Sequence, residues 1–189
     1  MPALSCIKLT APAQEELRAL VEYVIKQGIE QRKFVLPPPP KSNELFEVAA
    51  SFVTLYSQQQ LRGCVGTFSA RNPLWSDVCR LSYCSAFEDG RFMPLQQEEL
   101  ADLTFEISIL SPLVKIDNDG EGALLTQLVP GVDGLLLQDG NRSALFLPSV
   151  WEALKTPEDF VQALKTKGGW PANYWSEDIE VFRFHTTVY

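Results

Sequence analysis

Strand-forming and helix-forming stretches interleave along this chain without a regular strand–helix–strand alternation, which predicts an α+β fold with antiparallel β-sheets. Three observations carry that prediction. Residues 46–56 and the strand beginning at Leu61 are rich in β-formers and are separated by Gln58, Gln59 and Gln60, which reads as a hairpin. Asp139-Gly140 divides residues 134–138 from 143–147, a strong short-range hairpin signal. Helical patterns opened by Pro12, Pro73 and Thr156 flank these hairpins.

In chain order, Thr10 is placed to cap a helix carrying Leu17, Leu20, Val21, Val24 and Ile25 on one face. Gly28 is its end or a weak point within it. Pro37, Pro38, Pro39 and Pro40 form a stiff connector that cannot enter a central strand or helix. The first hairpin follows, and then a helix from Pro73 with Leu74, Val78 and Leu81 inward. A polar loop over residues 88–95 precedes a short helical turn near 97–100. Phe105, Ile107 and Ile109 alternate with Glu106 and Ser108, a half-buried strand. After the second hairpin, Thr156 caps a helix containing Phe160, Val161 and Leu164, which ends at Gly168-Gly169. Residues 180–187 read as a last strand carrying His185. Residues 120–131 read as a seam between lobes, and the whole span 1–189 as a single domain whose lobes share one core.

Composition narrows the function. The chain has 189 residues, 46% hydrophobic and 21% charged, the balance of an ordinary globular protein. At this size it buries about 70% of its extended-chain surface and needs no metal or disulfide staple. Its formal net charge of −8 argues against a nucleic-acid partner, which calls for a basic stripe. No apolar run approaches the roughly 20 residues that span a bilayer, so no membrane association is expected. Residues 1–9 lack a charged leader followed by an apolar block. Cys6, Cys64, Cys79 and Cys84 include no C-x-x-C pair, and reduced thiols in a cytoplasm fit best. With one histidine, His185, a multi-histidine metal site is excluded; neither metal nor cofactor is expected.

The run Leu61-Arg62-Gly63-Cys64-Val65-Gly66-Thr67-Phe68 carries the candidate chemistry. On a regular strand Arg62, Cys64 and Phe68 share a face, with same-face neighbours about 7 Å apart. A guanidinium at that spacing favours thiolate, which makes Cys64 a candidate nucleophile and Arg62 its activator or an anion-binding group. Gly63 and Gly66 leave room for a close approach by a backbone or a ligand. Thr67 supplies a hydroxyl near Cys64 if the strand bends at Gly66. Asp89, Arg91 and Phe92 are binding candidates in the polar loop, where Asp89 and Arg91 can pair or pin the loop. The bland readings stand beside these: Cys64 as a packed small hydrophobe, Arg62 in a structural ion pair, Phe92 as core, Asp133 as a turn residue, and His185 as a surface or satisfied core residue.

The Arg62-Gly63-Cys64-Val65-Gly66-Thr67 run resembles the signature of the AMMECR-type domain family. So does Ala86-Phe87-Glu88-Asp89-Gly90-Arg91-Phe92-Met93-Pro94-Leu95, followed by Glu99-Leu100. Asp133-Gly134-Leu135, Leu147-Pro148-Ser149-Val150-Trp151 and Lys167-Gly168-Gly169-Trp170 follow in the family's order. The resemblance covers nearly the whole chain and is closest to the prokaryotic stand-alone form, protein A of the AmmeMemoRadiSam system. It implies a two-lobed α+β protein, with a cleft near the Arg-Gly-Cys strand and no settled activity. It also implies Memo-like and radical-SAM-like partners; the chain itself lacks the C-x3-C-x2-C iron–sulfur pattern. Many members have His-Gly where this chain has Asp133-Gly134. The usual Asp-Pro/Ser-Arg-Phe run appears here as Asp89-Gly90-Arg91-Phe92, a more flexible loop. Two functions follow: a ligand- or partner-binding module, or a cysteine-dependent enzyme or modification partner acting through a Cys64 thiolate.

Overall fold

A computed structural model describes residues 5–189, so the reading of residues 1–9 lies partly outside the described residues. The chain forms two compact units. The first comprises Cys6–Leu110 and Thr187–Tyr189, and Ser111–Thr186 builds the second. Each has its own hydrophobic cluster. The division at Leu110 and Ser111 replaces the expected seam at residues 120–131, where a helix lies instead. The α+β architecture is as the interleaved hairpins and helices predict.

In the first lobe, α1 (Ala11–Gln31) buries Ala13, Leu17, Leu20, Val21, Val24 and Ile25, the 3.6-residue stripe that its sequence carries. Thr10 stands at the N-cap position with extended backbone, but its hydroxyl donates to Glu44 instead of capping. The helix does not end at Gly28. The Phe87 ring lies against that glycine so closely that a Cβ would sit 2.3 Å from its Cε2. Only a bare backbone admits the ring at this point.

The strands β1 (Ser51–Ser57), β2 (Gln60–Gly66), β3 (Leu103–Leu110) and, at the far end of the chain, β8 (Thr186–Val188) form a sheet in the order β2-β1-β3-β8. The expected first strand starts only at Ser51: Phe46 ends the 3-10 turn Asn43–Phe46, and Val48 pairs with Pro73 in an isolated bridge. Gln58 and Gln59 make the hairpin turn with φ of 50° and 63°, left-handed values that match the twist of the flanking strands. Phe68 lies beyond β2. The register shifts once: Tyr56 faces Leu61 but Leu55 faces Gly63, so Arg62 is the unpaired extra residue of a β-bulge.

Helix α2 (Leu74–Tyr83) follows Pro73 and passes into a π-helical turn, Cys84–Glu88. This turn locks onto the hairpin. The Val65 N–H donates to Ser85 Oγ (2.9 Å), and that hydroxyl donates to the Val53 carbonyl (2.8 Å). Val53 and Val65 face each other in register, so the serine bridges the two strands. Its own carbonyl lies over Gly63, where a Cβ would come within 2.1 Å of it.

The second lobe holds β4 (Val114–Ile116), α3 (Glu121–Gln127), β5 (Gly134–Asp139), β6 (Arg142–Phe146), α4 (Pro157–Lys167) and β7 (Glu180–Phe184), with sheet order β4-β7-β5-β6. Trp151 stacks on Phe160 at 3.9 Å between ring centroids. Thr156 caps α4 by accepting from the Asp159 N–H (3.2 Å), as its position predicts. Fully buried Lys165 is neutralised by both Glu121 oxygens (2.7 and 2.8 Å). The expected last strand, 180–187, is two strands broken at His185: β7 belongs to this sheet and β8 to the first. No described helix is long and apolar enough to cross a membrane.

Ser85→Ala removes the bridge and leaves a buried donor and a buried acceptor facing each other. The expected cost is about 1–3 kcal/mol of unfolding free energy, read by denaturant titration, with the exposed Ser149→Ala as a control.

Candidate functional site

Strand β2 is an edge strand, so alternate backbone groups point away from β1 and need partners. At Cys64 the loop after the π-helical turn supplies them. The Cys64 N–H donates to Asp89 Oδ2 (2.9 Å), and Arg91 donates to the Cys64 carbonyl (3.1 Å). The two side chains are themselves joined by a bidentate pair, at 2.9 and 2.7 Å. Asp89 also accepts from the Arg91 N–H (3.2 Å), which folds the glycine-containing loop back on itself. Four N–H donors converge on one buried carboxylate. The Arg91 hydrogen bonds, with help from the Cys64 N–H, hold Asp89 far below the usual carboxylate range and outweigh its burial.

Arg62, expelled from the ladder by the bulge, is committed elsewhere. It donates to both oxygens of Glu99 (2.6 and 3.0 Å) and to the Met93 carbonyl (2.8 Å). Glu99 is lowered by this arginine, with a further hydrogen bond from the Gln96 N–H. The Phe92 ring lies near both guanidiniums, 5.8 Å from that of Arg62 and 5.4 Å from that of Arg91. The ring is half-buried, not core.

The expected alternation that aligned Arg62 with Cys64 therefore fails at the bulge. The cation that reaches Cys64 is Arg91, through the residue's carbonyl, and its affinity for its own proton is raised first by Asp89. The hydroxyl beside the thiol is not that of Thr67, which bonds Ser69 in a tight turn. It belongs to Thr54, whose Oγ1 lies 3.3 Å from Cys64 Sγ. The room above the two glycines is filled from within, by the Ser85 carbonyl over Gly63 and the Phe52 ring over Gly66. Of the predicted residues, Cys64, Asp89, Arg91 and Phe92 come together, with Arg62 reaching Phe92 from the far side.

Sequence reasoning missed Thr54, and it missed the pairing role of Glu99. The first needs the register across the bulge; the second was visible only as part of a motif. It also missed that Asp133, read as a turn residue, and His185, read as a surface or satisfied core residue, meet in the second lobe. Asp133 is buried, lies 3.1 Å from His185 Nε2, and accepts from the Val129 N–H (2.8 Å). Among the described residues no group of three or more His, Cys, Asp or Glu side chains could hold a metal ion. Cys64, Cys79 and Cys84 are free thiols.

A family model described as AMMECR1 matches residues 18–189. Protein TK0174 of Thermococcus kodakarensis is 32% identical over 186 residues, covering 93% of this chain and 88% of the relative. Protein MK0488 of Methanopyrus kandleri is 30% identical, covering 96% and 90%. The crystal structure of the uncharacterized protein PH0010 from Pyrococcus horikoshii superposes with a TM-score of 0.84 at 30% identity, over 91% of this chain and 88% of that one. The chain belongs to the AMMECR1 family.

Asp89→Asn should cost about 1.5–3 kcal/mol at neutral pH, because it halves a charge-assisted cluster that pins a backbone. The native value lies below the unfolded one, so the carboxylate's contribution is complete above the unfolded value, about 4, and declines as pH falls toward the folded one. Denaturant titrations of both proteins from pH 7 downward should converge only below about pH 4. Burial pushes the Cys79 thiol up to about 12; burial and then Glu88 push Cys84 up to about 11. Mass-spectrometric mapping after iodoacetamide at pH 8 should find both unmodified in the folded protein, and labelling of either before unfolding contradicts this assignment.

Proposed function

We propose that the surface around Cys64 is a recognition surface, and that this AMMECR1-family chain acts as a partner-binding module and not as a thiol enzyme. The supporting observation is that the cations nearest the thiol are already spent. Arg62 is held by Glu99 and Arg91 by Asp89, and both hold backbone in place. A nucleophile calls for a base or an uncommitted cation, whereas a docking surface calls for rigid side chains with exposed apolar area. The loop meets the second need. Met93 is 81% exposed, its carbonyl tied by Arg62, beside the Phe92 ring and the half-exposed Arg91 guanidinium.

The partner chemistry is an apolar side chain seated on Met93 and the Phe92 ring. The resemblance to protein A of the AmmeMemoRadiSam system makes a Memo-like or radical-SAM-like protein, in a shared cytoplasm, the partner to try first. The alternative, a Cys64-dependent enzyme, draws support from the Thr54 hydroxyl beside the thiol and from Arg91 on the Cys64 carbonyl.

Met93 replaced by a photo-crosslinking residue should join this chain to one of those purified partners, and Met93→Asp should weaken the complex at least about tenfold in calorimetry. Cys64→Ser should leave binding within about twofold. An activity abolished by Cys64→Ser with the fold intact, and no crosslink to either protein, would establish the enzyme instead.

A further inference from the structure

Away from Cys64, a pocket of about 230 Å³ opens between α1 and the start of β3. Its floor is apolar: Ile25 from the helix, Leu103 and Phe105 from the strand, and Leu100 from the 3-10 turn that precedes it. Its rim carries Glu22 and Lys26. The volume is below the range of drug-sized sites and suits a single small molecule.

The rim is unusual in what it leaves undone. Glu22 and Lys26 are four residues apart on one helix face, the spacing at which such pairs meet. Among the described residues neither side chain forms a hydrogen bond or an ion pair. Arg18, one turn earlier, is likewise turned away from Glu22: its guanidinium lies over the Phe105 ring, 4.4 Å from the centroid. An uncommitted carboxylate and an uncommitted ammonium therefore stand about 5–6 Å apart, measured between Cβ atoms, at the mouth of an apolar hole.

We infer that this pocket binds a free α-amino acid with a branched aliphatic or aromatic side chain. The ligand's ammonium meets Glu22, its carboxylate meets Lys26, and its side chain enters between Ile25, Leu100, Leu103 and Phe105. A purely apolar occupant would leave both rim charges unused, and a purely ionic one would leave the floor wet. The zwitterion with an apolar side chain matches both features. This inference is independent of the role proposed for the Cys64 surface.

The test titrates the isotope-labelled full chain with L-leucine and L-phenylalanine and follows amide shifts. 4-Methylpentanoate, which lacks the ammonium, isoamylamine, which lacks the carboxylate, and glycine, which lacks the side chain, serve as controls. Saturable shifts at residues 22–26 and 100–105 are expected for one or both amino acids, with dissociation constants of about 1 mM or tighter. Each control should bind about tenfold more weakly. Glu22→Gln should bring leucine down to the affinity of 4-methylpentanoate, and Lys26→Gln down to that of isoamylamine. Both positions are exposed, so the fold should survive. No saturable shift for either amino acid up to about 20 mM overturns the inference. So does 4-methylpentanoate or isoamylamine binding as well as leucine, which would mark the pocket as a seat for a partner's apolar side chain.

Discussion

The hydroxyl of Ser85 lies between facing residues of β1 and β2, accepting from one strand and donating to the other. Keeping it there dictates much of the first lobe. A serine on a helix reaches a sheet ladder only if the helix end comes very close, and Gly63 permits that approach by having no Cβ to meet the Ser85 carbonyl. The π-helical widening at Cys84–Glu88 has the same origin. An extra residue in the turn re-aims the side chains that follow, a frequent use of this geometry. From that one segment Ser85 enters the hairpin, Phe87 packs on Gly28 of α1, and Asp89 reaches the backbone of Cys64.

The site inherits its rigidity from this arrangement. Asp89 is oriented by the turn behind it and by the arginine two residues ahead. Arg62 is oriented by a glutamate on a neighbouring turn, itself anchored by the Gln96 N–H. Each cation is balanced by one anion, so the surface presents shape and a ring flanked by guanidiniums more than net charge. On a chain carrying −8 overall, that local neutrality keeps long-range repulsion from dominating what docks there.

Much of the fold was legible in the sequence because the signals were local. Asp139-Gly140, Thr156 with Pro157, and the stripe from Leu17 to Ile25 each name their element without reference to the rest of the chain. The site was legible in its residues but not in its pairings. Counting back from the Gln58-Gln59 turn in strict register sets Val53 opposite Cys64; the bulge at Arg62 moves Thr54 there and turns the arginine away. No local pattern announces that bulge, because it depends on what the π-helical turn and the Glu99 turn require from outside the strand. His185 was hidden for a similar reason. Residues 180–187 are one continuous β-forming run, and only the tertiary arrangement divides it between two sheets and brings Asp133 to the break.

A strand at the margin of a sheet is a template on which a second chain can extend the ladder, and proteins that stay soluble blunt such margins. Here the blunting is done by two side chains that imitate a neighbour. Asp89 stands where an adjoining strand would place a carbonyl, and Arg91 where it would place an amide. The ion pair that organises the Cys64 surface thus also guards against self-assembly. A variant chosen to free that surface for a ligand exposes, at the same residue, the row of groups from which fibrous aggregation can begin.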